Sequence, residues 1–134
     1  MIVSIEPREM IYLQERKIQL LYSNIYLGYR YYILNLGTHP TAYVEISKEN
    51  FLYKIRYIDI EDINVHGGLT YSDTDLRIGE NITLMNSWFI GWDYAHSGDY
   101  IDGLVVCNKG KKWTTLEIIE ECKNVIEQIK EMEN

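Results

Sequence analysis

Apolar residues follow two different periods along this chain: near-alternation through its first half and a helical repeat at its end. Gln19–Tyr26 and residues 29–36 are both rich in β-branched and aromatic side chains, and only Leu27-Gly28 separates them, which predicts a hairpin. Residues 37–40, Gly-Thr-His-Pro, read as a turn, and residues 41–46 alternate as a third strand, completing an antiparallel meander. Residues 48–61 read as a mixed, partly helical crossing segment. Residues 63–66 predict a short strand running into Gly67-Gly68, and residues 69–71 resume extended structure. Residues 73–87 are polar and predict a loop. Trp88–Asp93 has the composition of a buried strand, with Trp88, Ile90 and Trp92 on one side and Phe89 and Gly91 on the other. A polar corner, residues 95–99, and a loop over 100–112 follow. At the start of the chain residues 2–5 suggest a short strand that Pro7 breaks.

The clearest element is the last. Thr114 and Glu117 have the spacing of a capping box, in which the Thr hydroxyl accepts from the third backbone amide while the Glu reaches back. Ile118, Ile119, Cys122, Val125, Ile126, Ile129 and Met132 then recur at helical spacing, with Glu and Lys on the other face. The predicted fold is α+β: one domain over residues 1–134, an antiparallel sheet of about five strands with a long C-terminal helix packed on one face.

Composition narrows the function. Hydrophobic residues make up 46% and charged residues 25% of the 134, the ordinary range of a globular chain, which excludes a disordered, collagenous or coiled-coil protein. The sequence contains no apolar run of membrane-spanning length and no basic region followed by an apolar stretch, so a cytoplasmic protein without membrane partners is expected. Thirteen basic against twenty acidic residues give −7, which argues against a nucleic-acid polymer as partner. The charge is uneven: residues 1–58 sum to +2, 59–99 to −7, 100–114 to +2 and 115–134 to −4. Two mildly basic blocks therefore leave room for a small anion. Cys107 and Cys122, in a chain with no export signal, read as incidental thiols rather than a disulfide. Twelve tyrosines suit strands, subunit interfaces and stacking sites alike.

Three stretches could carry chemistry. In His66-Gly67-Gly68-Leu69-Thr70-Tyr71-Ser72 the paired glycines permit a bulge or a close approach of the backbone to a ligand, with amides free for an anionic oxygen. His66 beside them could serve a phosphate, act as acid or base, or simply sit satisfied at the edge of the bulge. Asp93, His96 and Asp99 are spaced three and three, an array that could hold a metal, fix an imidazole tautomer, or only cap a turn. Trp88, Trp92 and Trp113 with Tyr71 and Tyr94 could offer a stacking face or fill the core. Arg56, Lys109 and Lys112 are among the isolated cations that could meet an anion. There is no P-loop, dinucleotide fingerprint, serine elbow or Cys-x-x-Cys, so no enzyme, cofactor or metal is expected.

HGGLTYS at 66–72 followed by WFIGWDYAHSGD at 88–99 resembles a widespread family of small phage and prophage proteins. In these an HGGLTY segment precedes an aromatic-Gly-aromatic-Asp-x-Ala-His segment, and a Glu-rich helix closes the chain. The likeness runs from Gly28-Tyr29-Arg30 through Gly37 and Ala42-Tyr43-Val44 to the last helix. Residues 1–18 stand outside it, and Trp92 and Tyr94 are variants. The chain also looks like the first-described type of Thoeris anti-defence proteins, oligomeric phage sponges that sequester cyclic ADP-ribose signals of bacterial TIR enzymes without cleaving them. That resemblance implies a homo-oligomer holding a small cyclic nucleotide. On physical grounds Trp92 or Tyr71 would take adenine, and Arg56, Lys109 and the Gly67-Gly68 amides the phosphates, with His66, Asp93 and His96 shaping the pocket. The rivals are a phosphodiester or glycosidic hydrolase using His66 with Asp93, His96 and Asp99, and a protein inhibitor presenting its tyrosine-rich sheet. The capture reading requires the paired glycines and the tryptophan-flanked corner to meet around an enclosed hollow.

Overall fold

The computed structural model describes residues 17–103 and 109–133. Cys107 and the short strand expected at residues 2–5 lie outside the described residues. Five strands form one antiparallel sheet: β1 (Gln19–Tyr26), β2 (Tyr29–Asn35), β3 (Pro40–Ile46), β4 (Tyr71–Asp73) and β7 (Trp88–Asp93), in the spatial order β1-β2-β3-β7-β4. The β1–β2 link is a two-residue turn in which both Leu27 (φ 49°) and Gly28 (φ 86°) have positive φ, the twist that suits a tight hairpin.

Alternation sorts the side chains to two faces. Tyr31 and Ile33 of β2, Ala42, Val44 and Ile46 of β3, and Trp88, Ile90 and Trp92 of β7 point to one side. There they meet Ile118, Cys122, Val125, Ile126 and Ile129 of helix α1 (Thr115–Met132). Each of the larger aliphatic side chains among them contributes roughly 1.5–3 kcal/mol by leaving water. Thr114 caps α1 through the expected box, its hydroxyl accepting from the Glu117 amide at 3.2 Å while a Glu117 carboxylate oxygen takes the Thr114 amide at 3.0 Å. Tyr32, Leu34, Tyr43 and Phe89 face the other way. The α+β architecture is thus as the periodicities predict.

Two local readings need correction. Residues 73–87 are not a loop: they contain a second, two-stranded sheet, β5 (Leu76–Gly79) with β6 (Ile82–Leu84), and buried Leu76 anchors it to the far face beside Phe89. Residues 63–66 are not a strand. Both backbone polar groups of Asn64 are taken by the Gln128 side chain of α1 (2.7 and 2.8 Å), and the His66 amide points at Glu121 (3.4 Å). Helix side chains therefore do for this segment what a neighbouring strand would otherwise do. The crossing segment 48–61 is irregular, with one short 3-10 turn at Tyr57–Asp59. Among the described residues no helix is long and apolar enough to cross a membrane.

Candidate functional site

The paired-glycine segment and the corner after β7 do meet. Backbone bonds fold each of them: Gly68 N–H donates to Val65 O (2.9 Å), and Asp99 N–H to His96 O (2.9 Å). The corner turns back because Asp93 Oδ1 accepts the Ala95 amide (3.1 Å) and Oδ2 the Thr70 hydroxyl (2.9 Å). Gly67 has φ 68°, and a Cβ on it would lie 2.1 Å from His96 Nε2. The imidazole of His96 thus occupies the side of residue 67 where any other residue would carry its side chain, so glycine is needed twice over. Gly68 (φ 79°) has open space at the same position.

Asp99 is the hub of this contact and is only 2% exposed. Its carboxylate accepts from His66 Nε2 (2.8 Å), from the His96 amide (3.0 Å) and from the Trp113 indole N–H (2.9 Å). Burial alone would raise the Asp99 pKa; these three donors outweigh it and hold the carboxyl below its ordinary value. With Nε2 donating to a carboxylate, the other nitrogen of a neutral His66 is left as an acceptor. The ring stacks on Tyr94 (centroids 5.0 Å, 9°) and leans on Trp113 (4.8 Å). Behind it the Tyr94 hydroxyl donates to Glu121 and accepts from Trp92 Nε1 at 3.0 Å. Burial and the Glu121 hydrogen bond push the Tyr94 phenol well above the usual tyrosine value.

The hollow expected between the two segments is therefore filled, by the His96 ring and the His66–Tyr94–Trp113 stack, so the capture site expected there is corrected to a packed contact and a ligand would have to sit elsewhere. Open space lies on the far side of that stack. A cleft of about 210 Å³ runs between the β2–β3 turn and the start of α1, walled by Tyr94, Trp113 and Tyr100 and bordered by His39, Asp102 and Lys112. Lys112 Nζ, at the cleft, sits 5.2 Å from the centre of the Tyr100 ring, while Lys111 Nζ lies 4.0 Å over Trp113 and is paired with Glu117 at 2.8 Å.

The expected site residues divide accordingly. His66, Gly67, Asp93 and His96 come together, with Asp99 at their centre. Gly68 belongs to the same turn, and the expectation of a free amide for phosphate is corrected there: its N–H is spent on Val65 O at 2.9 Å. Trp92 is corrected to a core residue: it is 1% exposed, its indole N–H is spent on Tyr94, and no face is left for a base. Tyr71 lies across the sheet, edge-on to Tyr43. Arg56 and Lys109 are exposed, and among the described residues neither makes a hydrogen bond or ion pair with the Asp99 group. Reasoning from sequence placed no role on Glu121 or His39: the first reads as one more acid on a solvated helix face, the second as turn. Trp113, Tyr94 and Lys112 were visible as aromatics and a cation, but no local pattern ties them to residues 66 and 99. Among the described residues no group of three or more His, Cys, Asp or Glu stands ready for a metal. No family model, curated protein or solved structure matches the chain.

Proposed function

We propose that this is a phage anti-defence protein that captures a small cyclic nucleotide signal, of the cyclic ADP-ribose class, and holds it without cleaving it. The observation that carries the reading is the anchored aromatic wall. Trp113 faces the cleft while its indole N–H is fixed on a buried carboxylate that His66 and the His96 amide also hold. A rigid ring of this kind loses little freedom when a base or sugar packs on it, and a stacked base is worth about 1–3 kcal/mol. Lys112 at the rim offers one cation to a pyrophosphate, beside the carboxylate of Asp102. The HGG and His-Ser-Gly-Asp stretches that carry the family resemblance serve, on this reading, as the buttress of the wall. The cleft's 210 Å³ is smaller than the roughly 300 Å³ at which pockets begin to enclose a whole ligand, which supports closure by a second copy of the chain.

One observation favours the hydrolase instead. His66 and His96 lie 5.7 Å apart between ring centroids, each beside a carboxylate: Asp99 at 2.8 Å and Asp93 at 3.2 Å, the latter too far out of line for a hydrogen bond. Two such imidazoles could share a proton donor and acceptor role on one phosphodiester. Incubation with cyclic ADP-ribose isomers and cyclic dinucleotides, followed by heat release and analysis of the nucleotide, separates the readings. Intact ligand, with uptake lowered at least about tenfold by Trp113→Ala, is the expected result. An altered nucleotide supports the hydrolase, and no uptake by the folded protein overturns both, leaving the protein inhibitor.

A further inference from the structure

The face of the sheet turned away from α1 carries a second hollow, of about 180 Å³, which borders the site above at Asp93, Thr70 and His39. Strand register builds it. Thr41 of β3 lies directly opposite Asp93 of β7, and Tyr43 and Tyr71 lie on either side of Gly91. A Cβ at Gly91 would come within 2.4 Å of the Tyr43 ring, so the glycine makes room for that ring in mid-sheet, and Tyr71 closes on it edge-to-face at 5.1 Å. The result is a small chamber with aromatic walls and a polar end made by Thr41, Thr70 and Asp93.

The polar end is incomplete. Thr41 is 3% exposed, and its hydroxyl, though near the Tyr43 phenol, makes no hydrogen bond of normal geometry. With only that phenol beside it, out of line, the hydroxyl keeps a proton it can turn to a molecule in the chamber. Opposite stands the Asp93 carboxylate, an acceptor only, whose oxygens still have lone pairs beyond those given to Thr70 and Ala95. A hydroxyl able to donate beside a carboxylate able only to accept matches a flat ring that carries an exocyclic amine next to a ring nitrogen acceptor. The walls are phenol rings, which suit the same flat ring. A chamber of 180 Å³ has room for one ring system, not for a nucleotide. His39 borders both this chamber and the cleft, so a ligand anchored by its phosphates in the cleft can extend a base around that side chain.

We propose that this hollow is a nucleobase subsite that selects an adenine-type base by its amine and the adjacent, unsubstituted ring nitrogen, as in cyclic ADP-ribose isomers closed through their riboses. The inference rests on the reading of the protein as a nucleotide binder, and the test separates the two. Adenosine and inosine are the probes, because inosine replaces the amine by a carbonyl and the ring acceptor by an N–H, inverting the pattern. Titration calorimetry of the wild-type protein is expected to show adenosine bound at least about tenfold more tightly than inosine. Thr41→Val, which keeps the shape, is expected to lower adenosine affinity about tenfold with a melting temperature that does not fall. Asp93→Asn, whose amide can donate, is expected to abolish or reverse the preference. Equal affinity for the two nucleosides, or a Thr41→Val protein that binds adenosine as the wild type does, overturns the subsite while intact uptake of cyclic nucleotide leaves the capture function standing. If the folded protein takes up neither nucleosides nor cyclic nucleotides, both fall.

Discussion

At the scale of single residues, the chemistry centres on what surrounds Asp99. Gly67 and Gly68 are adjacent and both left-handed, yet they carry different constraints, which a pair of substitutions resolves. Gly68→Ala meets open space and bears only the strain of a positive φ, about 1 kcal/mol, whereas Gly67→Ala must also displace the His96 ring. Chemical denaturation is expected to show Gly67→Ala more destabilising by at least about 1 kcal/mol, with equal losses refuting the contact. The pH response of Asp99 follows from its lowered pKa. A carboxyl whose folded value lies below its unfolded value, about 3.9, stabilises the fold above that pH, and the contribution disappears as pH falls through the folded value. Wild-type stability should therefore drop steeply below about pH 4, and Asp99→Asn should be less stable near neutrality yet show a flatter acid limb in denaturant titrations. Exposed Glu117, held down to about 2 by Lys111 and the Thr114 amide, keeps some acid dependence in both proteins.

At the scale of elements, the helix and the meander are legible because each repeats its own period over enough residues to outvote exceptions. The β5–β6 hairpin is less legible. Leu76-Arg77-Ile78 and Ile82-Thr83-Leu84 do alternate, but in a stretch of Asp, Ser, Asn and Gly where turn signals dominate. What stabilises it is Leu76 inserted beside Phe89 on the far face of the sheet, a long-range contact. Leu76→Ala is expected to cost about 2–5 kcal/mol and to abolish hydrogen-exchange protection in residues 76–84 before any loss in β2 or β3. Segment 63–66 errs the other way: its composition suits a strand, but Gln128 and Glu121 of α1 reach its backbone first.

At the scale of the whole molecule, the tyrosines turn a compositional oddity into a stability property. Burial, chiefly, pushes the phenols of Tyr29, Tyr31 and Tyr71 up to about 12, and those of Tyr32 and Tyr94 rise as well. A group whose folded pKa lies above its unfolded value, here about 10, gives its full stabilisation below that value and loses it as pH rises through the folded one. Global stability is expected to fall between about pH 10 and 12, with the tyrosinate absorbance of these five rings appearing together with unfolding rather than before it. Ionisation of these five ahead of unfolding would show that their burial is not shared by the fold as a whole.

Periodicity and local chemistry alone determined the class of this fold, the faces of its strands and the capped helix, because those properties are set by residues a few positions apart. The same local reading marked His66, Gly67, Asp93 and His96 as belonging together, since glycine, imidazole and carboxylate in polar corners are rarely idle. Only the tertiary structure decided that they fill their meeting place instead of lining it. A hollow is whatever volume remains after distant side chains have packed. Whether Trp92 faces a ligand or the core, and whether Trp113 or Thr41 borders open space, depends on residues such as Glu121 and Gly91 that lie far away in the chain or on another strand.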